Sequence, residues 1–208
     1  MNSFSCKKAA ESRQVAYFNA CSAASIWASP SSERMGFLRL SVFTAQAVKG
    51  KAKKEMEVLN MLAQACFKGN VFDRAELNFK LSLEKAQKLG SKEVQAQVLD
   101  DLGRLCNTVK KYQSAITYLK EGKTLAHQNN LKIREMGILE NLSMTYMQNS
   151  KHKKAFDCLD GALEIGRKLG DNRGQGLILK KMGDYHKSLK EYTAAIEKYE
   201  RGLPKVRK

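Results

Sequence analysis

Apolar residues recur along this chain at a short spacing of three to four residues and at a long spacing of 40 residues. The short spacing, as in Leu99, Leu102 and Cys106, places side chains on one stripe of an α-helix. The long spacing aligns residue types in four successive segments. The aligned columns are Ala75, Ala115, Ala155 and Ala195; Leu59, Leu99, Leu139 and Leu179; Leu62, Leu102, Leu142 and Met182; and Phe79, Leu119, Leu159 and Tyr199. The pattern predicts four copies of one helical unit.

Turn signals divide each unit into two helices. Short polar stretches fall within the units, at Lys68-Gly69-Asn70, Lys110-Lys111, Ser150-Lys151 and Lys190-Glu191. Residues that tolerate a positive φ fall between the units, where we expect helices to end, at Gly50, Gly90, Asn130 and Gly170. We predict helices over residues 54–68, 71–89, 92–109, 112–128, 132–149, 152–169, 173–188 and 191–203.

A column of small residues indicates how the two helices of a unit meet. Its members are Ala63, Gly103, Ser143 and Gly183. A small residue on the first helix lets the second helix approach closely, so a bulky substitution at Gly103 should overpack the hairpin. One hairpin cannot bury both of its faces, and stacking on the next unit should complete the core.

These columns together resemble the tetratricopeptide repeat, whose pattern places Leu-Gly, Tyr, Ala and Phe at fixed offsets. In the second unit Leu102, Gly103, Cys106, Ala115 and Leu119 match those offsets, and the resemblance extends over residues 51–203. It implies an all-α fold, a right-handed α-solenoid of antiparallel helical hairpins. It also implies binding of other proteins rather than catalysis.

Two departures from the family pattern are visible. The unit is 40 residues long, and the slot that the family fills with proline holds Gln87, His127 and Arg167. Without proline the second helix can continue to the end of the unit. The longer unit is similar to that of cell-polarity and ciliary scaffold proteins of the LGN type. We therefore expect this organisation: an N-terminal extension or degenerate helix over 1–34, a partial-repeat helix over 35–50, and repeats over 51–90, 91–130, 131–170 and 171–208, the last with a basic tail.

The N-terminal segment departs from the repeat pattern. Residues 1–34 contain eight serines and seven alanines, and their acidic residues are Glu11 and Glu33. This composition is shared by a worn repeat helix, a mitochondrial targeting segment and a disordered extension. For residues 35–50 we predict a second helix that ends at Gly50 and packs on the first full repeat.

Charge and composition narrow the function classes. The 37 Lys and Arg residues exceed the 21 Asp and Glu residues, which gives a net charge of +16 and favours acidic partners. The excess is spread, with +4 in residues 1–50 and +3, +2, +2 and +5 in the four repeats, whereas a nucleic-acid groove usually has a clustered basic face. No stretch approaches 18 consecutive apolar residues, so we expect no membrane-spanning helix.

In such an array the first helices of the repeats line the concave surface. We predict that a partner protein or peptide binds there, through hydrogen-bonding and charged side chains. The candidate residues are Asn60, Gln64, Asp101, Arg104, Asn141, Gln148, Lys180, Lys181, Asp184 and Lys187. Because Lys180, Lys181 and Lys187 cluster in the last repeat, we expect the acidic end of the partner to lie near them.

Signals for catalysis or metal binding are weak. The three histidines occupy different repeat positions and form no HExxH motif, and the five cysteines contain no CxxC pair. We expect no enzyme activity, no metal and no cofactor. The function that the sequence favours is a non-catalytic adaptor or scaffold, cytoplasmic by its unpaired cysteines. The alternatives are a basic solenoid that binds RNA or another polyanion and a subunit of a ciliary or cytoskeletal complex. The last repeat carries no capping helix, so self-association through it is a further expectation.

Overall fold

A computed structural model describes the backbone of residues 31–206 and the side chains of residues 50–205. Within that part of the chain the backbone forms eight α-helices. They are α1 (Ser31–Lys68), α2 (Phe72–Lys88), α3 (Lys92–Thr108), α4 (Tyr112–Gln128), α5 (Lys132–Gln148), α6 (His152–Lys168), α7 (Asn172–Ser188) and α8 (Tyr192–Val206). The prediction of an all-helical array of antiparallel hairpins is confirmed, and apart from the start of α1 every predicted helix end lies within three residues of the observed one.

Helices α2 to α7 are equal in length, 17 residues each, and three-residue turns join them. Every turn has its middle residue at positive φ, and these residues recur every 20 positions: Asn70, Gly90, Lys110, Asn130, Ser150, Gly170 and Lys190. At Gly90 the turn closes with bonds from Gly90 N–H to the Gln87 carbonyl (3.1 Å) and from Ser91 N–H to the Ala86 carbonyl (3.0 Å). This is the Schellman pattern, which pairs carbonyls that a helix end leaves open.

The small-residue column lies in the hairpin seams, the contacts between the two helices of a repeat. A Cβ on Gly103 would lie only 2.7 Å from Cδ2 of Leu119, and one on Gly183 only 2.5 Å from Cε1 of Tyr199. The prediction that these positions allow a close approach is confirmed. The residue that contacts Gly103 is Leu119, one turn beyond Ala115 of the aligned alanine column.

Polar side chains at one repeated position join successive repeats. Gln95 Nε2 donates to the Ala86 carbonyl (2.9 Å), and Gln175 Nε2 donates to the Gly166 carbonyl (3.2 Å). At the middle junction the same position holds Glu135. Each residue therefore reaches back to the C-terminal end of the preceding second helix.

At that middle junction a buried carboxylate takes the place of the amide. His127 Nδ1 lies 2.8 Å from Oε1 of Glu135, and Lys132 Nζ lies 3.1 Å from Oε2. Burial alone would raise the pKa of Glu135, but the hydrogen bonds from His127 and Lys132 outweigh it and lower that pKa. The carboxylate therefore stays charged in the junction.

One sequence prediction is wrong at the start of the array. Gly50 does not end a helix, because α1 runs from Ser31 to Lys68 without a break. A lone glycine within a helix costs only about 1 kcal/mol relative to alanine, and the lysines and alanines around Gly50 favour a helix. The chain divides into two compact units, Met1–Lys51 and Ala52–Lys208. Three alternatives were given for residues 1–34, and of these residues 1–30 lie outside the described part of the chain.

Candidate partner-binding face

The predicted binding residues all lie on one set of helices: the part of α1 after residue 51, together with α3, α5 and α7. We call the surface that these helices form together the first-helix face. Asp101 is buried, and Asn60, Gln64, Asn141 and Lys181 are half-buried. The exposed members are Arg104, Gln148, Lys180, Asp184 and Lys187.

Hydrogen bonds between neighbouring repeats tie many of these side chains together. Gln64 Nε2 donates to Asp101 Oδ2 (3.3 Å), and Asn141 Nδ2 donates to Asp100 Oδ1 (2.7 Å). The same arrangement recurs one repeat later, where Lys181 Nζ donates to Oε2 of Glu140. Gln64, Asp101, Asn141 and Lys181, which the sequence predicted as contacts for a partner, all take part in these bonds. Part of the first-helix face therefore serves to hold neighbouring repeats together.

Two adjacent carboxylates form the electrostatic centre of this network. Burial raises the pKa of Asp100 to about 6, against the opposing hydrogen bond from Asn141. Burial also raises the pKa of Asp101, although the Arg104 guanidinium and the Gln64 amide favour its charged form. The neighbouring negative charge of Asp101 adds to the shift at Asp100. A proton on Asp100 therefore couples to the contacts between two repeats.

The lysine cluster of the last repeat is partly paired. Lys180 Nζ lies 3.0 Å from Oδ2 of Asp184, and Tyr199 Oη donates to Oδ1 of the same carboxylate (2.8 Å). Burial would raise the pKa of Asp184, but these hydrogen bonds lower it. Since Lys181 is also bonded to Glu140, the positive charge near the last repeat is less available than the sequence indicated.

A groove that the sequence did not predict opens on this face at Gly137. It has a volume of about 580 Å³, and a Cβ on Gly137 would have no atom within 4 Å. Ile133, which lines the groove, is 75% exposed. The other lining residues are Glu93, Asp100, Asn130, Leu131, Lys132, Arg134 and Leu169.

One signal in the sequence could have revealed this groove. The column that contains Gly137 holds Glu57, Gln97 and Leu177 in the other repeats, so the glycine alone removes a side chain. In this it differs from Gly103, whose whole column consists of small residues. The periodicity does not show whether the space beside such a lone glycine is open or filled by another element, which only the folded chain shows.

Features of other site classes are few in the described part of the molecule. Across residues 31–206, every helix is too short or too polar to span a bilayer. Among those residues, no three His, Cys, Asp or Glu side chains are grouped so that they could hold a metal ion. The described cysteines, Cys66, Cys106 and Cys158, are all free thiols. Burial raises the pKa of the Cys106 and Cys158 thiols, which disfavours the reactive thiolate.

Solved structures share this fold. BtubC (BKLC) from P. vanneervenii superposes with a TM-score of 0.68 at 20% identity, over 86% of this chain and 74% of that one. A putative kinesin light chain with TPR-like repeats from Podosopora anserina gives 0.62 at 14% identity, over 83% and 88%. A Rap protein complexed with Competence and Sporulation Factor gives 0.62 at 18% identity, over 74% of this chain and 43% of that one.

Sequence comparison points to the same family. No curated protein matches the chain in sequence. Residues 135–208 match the family model described as tetratricopeptide repeat, and domains of that family generally serve protein–protein interaction and are typically non-catalytic. The matched segment covers the last two hairpins, and the earlier repeats have the same helix lengths and turns. Residues 135–208 therefore carry tetratricopeptide repeats, and the described repeat array has the tetratricopeptide-repeat fold.

Proposed function

We propose that the chain is a non-catalytic adaptor that binds a segment of a partner protein on the first-helix face, in the groove beside Gly137. The observation that carries this proposal is the open floor of the groove, where a side chain is missing between polar and apolar walls. A partner can bring its backbone close to α5 there because no Cβ stands in the way. Apolar Leu131 and Leu169 suit an apolar anchor, and Arg134 and Asp100 suit polar groups.

The charge of the chain supports a partner of acidic character. The net charge of +16 attracts acidic proteins over a distance of several ångströms and speeds their encounter. Of the two cations that line the groove, Lys132 is already paired with Glu135, whereas Arg134 donates to the neutral side chain of Gln97. An acidic residue that reaches Arg134, beside an apolar anchor, is therefore the partner feature that we expect.

Binding of RNA or another polyanion has less support. The cations of the first-helix face have acidic neighbours, as in the pairs Lys181 with Glu140, Lys180 with Asp184 and Arg104 with Asp101. A phosphate backbone would have to displace or accommodate these carboxylates. The cytoplasmic location and the role in a cytoskeletal or ciliary complex stay predictions.

A photo-crosslinking experiment tests the adaptor proposal. A photoreactive amino acid is placed at Gly137, and in a matched control at Thr117, which is exposed on the second helix α4. We expect a partner in a cell extract that crosslinks from position 137 and not from position 117. Gly137→Leu should fill the groove and weaken binding of that partner at least tenfold without lowering the melting temperature. Equal crosslinking from both positions, or full binding by Gly137→Leu, would contradict the proposal.

A further inference from the structure

The N-terminal end of the repeat array exposes apolar side chains at positions where every later repeat buries its apolar side chain. Val58 is 62% exposed, whereas its counterparts are 0% exposed, and Leu62 is 42% exposed, whereas its counterparts are at most 3% exposed. The buried counterparts are Val98, Ile138 and Ile178 for Val58, and Leu102, Leu142 and Met182 for Leu62. Position and residue type are the same, so the difference comes from a missing neighbour.

The later repeats show which element that neighbour is. Ile138 on α5 packs in one cluster with Ile116 and Ala126 of the preceding second helix, α4. Ile178 on α7 packs with Leu163 of α6 in the same way. A second helix that precedes Val58 and Leu62 would therefore bury both of them.

The opposite end of the array exposes the matching half of this interface. On α8, Ile196 is 55% exposed and Leu203 is 54% exposed. Their apolar counterparts on helices that have a following repeat are better covered: Ile116 is 8% and Leu163 is 4% exposed, and Phe156 and Leu83 are half-buried. The last second helix thus presents the surface that a following first helix would cover.

We propose that two copies of this chain stack head to tail, with α8 of one copy packing on the Val58–Leu62 surface of the next. The two exposed surfaces are the two halves of an interface that the chain forms internally between successive repeats, so each fits the other and neither fits itself. Such an interface is heterologous, and because it leaves one free end of each kind it can add further copies. It involves the ends of the array rather than the first-helix face, and it does not depend on the proposed adaptor function.

The polar position at the repeat junctions is consistent with this register. Gln95, Glu135 and Gln175 each reach the end of the preceding second helix, and Glu55 occupies the same position in the first repeat. Glu55 contacts Lys85 of its own copy (2.9 Å), and in the stacked pair it would lie at the C-terminal end of α8 of the other copy.

Sedimentation velocity with two blocked variants tests the proposal. The double variant Val58→Glu/Leu62→Glu blocks the N-terminal surface, which we call the head. The double variant Ile196→Glu/Leu203→Glu blocks the exposed surface of α8, which we call the tail. All four positions are exposed, so we expect both variants to fold, which circular dichroism checks. The wild-type chain should form species larger than a dimer as its concentration rises. Each variant alone should associate at least tenfold more weakly, and a mixture of the two should form a dimer and stop there.

The control variant is Leu77→Glu. Leu77 is an exposed leucine on α2, and its counterparts Thr117, Asp157 and Glu197 are also exposed, so it belongs to neither end surface. This variant should assemble as the wild type does. A wild-type chain that stays monomeric at all concentrations would overturn the proposal. Persistent self-association of the head-blocked variant would also overturn it, because that result requires tail-to-tail pairing.

Discussion

Gly103 and Gly137 both interrupt the side chains of a first helix, yet their surroundings are opposite. Gly103 faces Leu119 in a hairpin seam, where a Cβ has no room, while Gly137 faces open space on the first-helix face. Contacts inside the chain require a glycine at position 103. The groove glycine has no such internal cause, and it leaves the backbone of α5 accessible. One residue type therefore marks a packing requirement at Gly103 and an open, accessible stretch of helix backbone at Gly137.

The largest expected effect is on the free energy of unfolding, which the same substitution should change in opposite directions at the two glycines. Gly103→Leu should lower the free energy of unfolding by about 3 kcal/mol, the upper end of overpacking costs, because Leu119 cannot move away inside the seam. Gly137→Leu should raise the free energy of unfolding by roughly 0.5 to 1 kcal/mol, since it removes a helix-interior glycine without a clash. Urea denaturation of both variants measures the difference. Equal losses at the two positions would show that the groove is not open.

The second prediction concerns the carboxylate pair of the first-helix face. The pKa of Asp100 is raised from 3.8 to about 6 in the folded chain, so the folded state binds a proton that the unfolded state releases. The stability contribution of this group therefore rises as the pH falls from about 7 to about 4. Asp100→Asn should raise the free energy of unfolding at pH 7 by about 1 to 2 kcal/mol, which is less than a fully buried carboxylate would give.

Denaturation of the wild type and of Asp100→Asn at several pH values tests this prediction. The advantage of Asp100→Asn over the wild type should shrink as the pH approaches 4, because the wild-type carboxylate is then protonated. Asp160→Asn, at an exposed position of α6, is the matched control and should have little effect. An advantage of Asp100→Asn that is constant over this pH range would mean that the carboxylate is not destabilised by burial.

The smallest expected effect comes from a turn that has the geometry for glycine but not the residue. Lys110 has a φ of 61°, whereas Lys111 beside it has a φ of −83°. Lys110→Gly should raise the free energy of unfolding by roughly 0.5 kcal/mol. The strain of a lysine in the left-handed conformation costs more than the added flexibility that glycine gives the unfolded chain. Lys111→Gly should lose a similar amount. Thermal melting of the two variants side by side checks the signs, and a loss at both positions would contradict the prediction.

The sequence predicted most of the fold because the repeat averages out local ambiguity. Four aligned copies of one pattern locate the helices and turns better than one copy would, so positions such as Ala75 and Ala115 identify the seams with little error. The prediction failed where there was a single copy. The helix through Gly50 has no second example against which to compare it, and its phase suggested a turn that the local helix formers do not make.

The bonds on the first-helix face were harder to predict than the fold. Periodicity identified which helices carry Asn141 and Lys181, but it could not show that these side chains bond to Asp100 and Glu140 of the preceding repeat. Such pairs depend on the offset between neighbouring helices, which is set by packing. The same limit applies to Val58, because exposure of an apolar residue depends on the presence of a neighbour rather than on its own position in the pattern.

The turns every 20 residues also bear on how a gene for this chain can change. Removal of residues 91–130 would join Gly90 to Leu131, which follows the positive-φ residue Asn130 just as Ser91 follows Gly90. The helix on each side would keep its length, its direction and its buried stripe. A loss of a few residues within a helix would rotate the following residues by about 100° for each residue removed. In-frame duplication or deletion of forty codons is therefore the step by which this array can lengthen or shorten while every remaining hairpin stays intact.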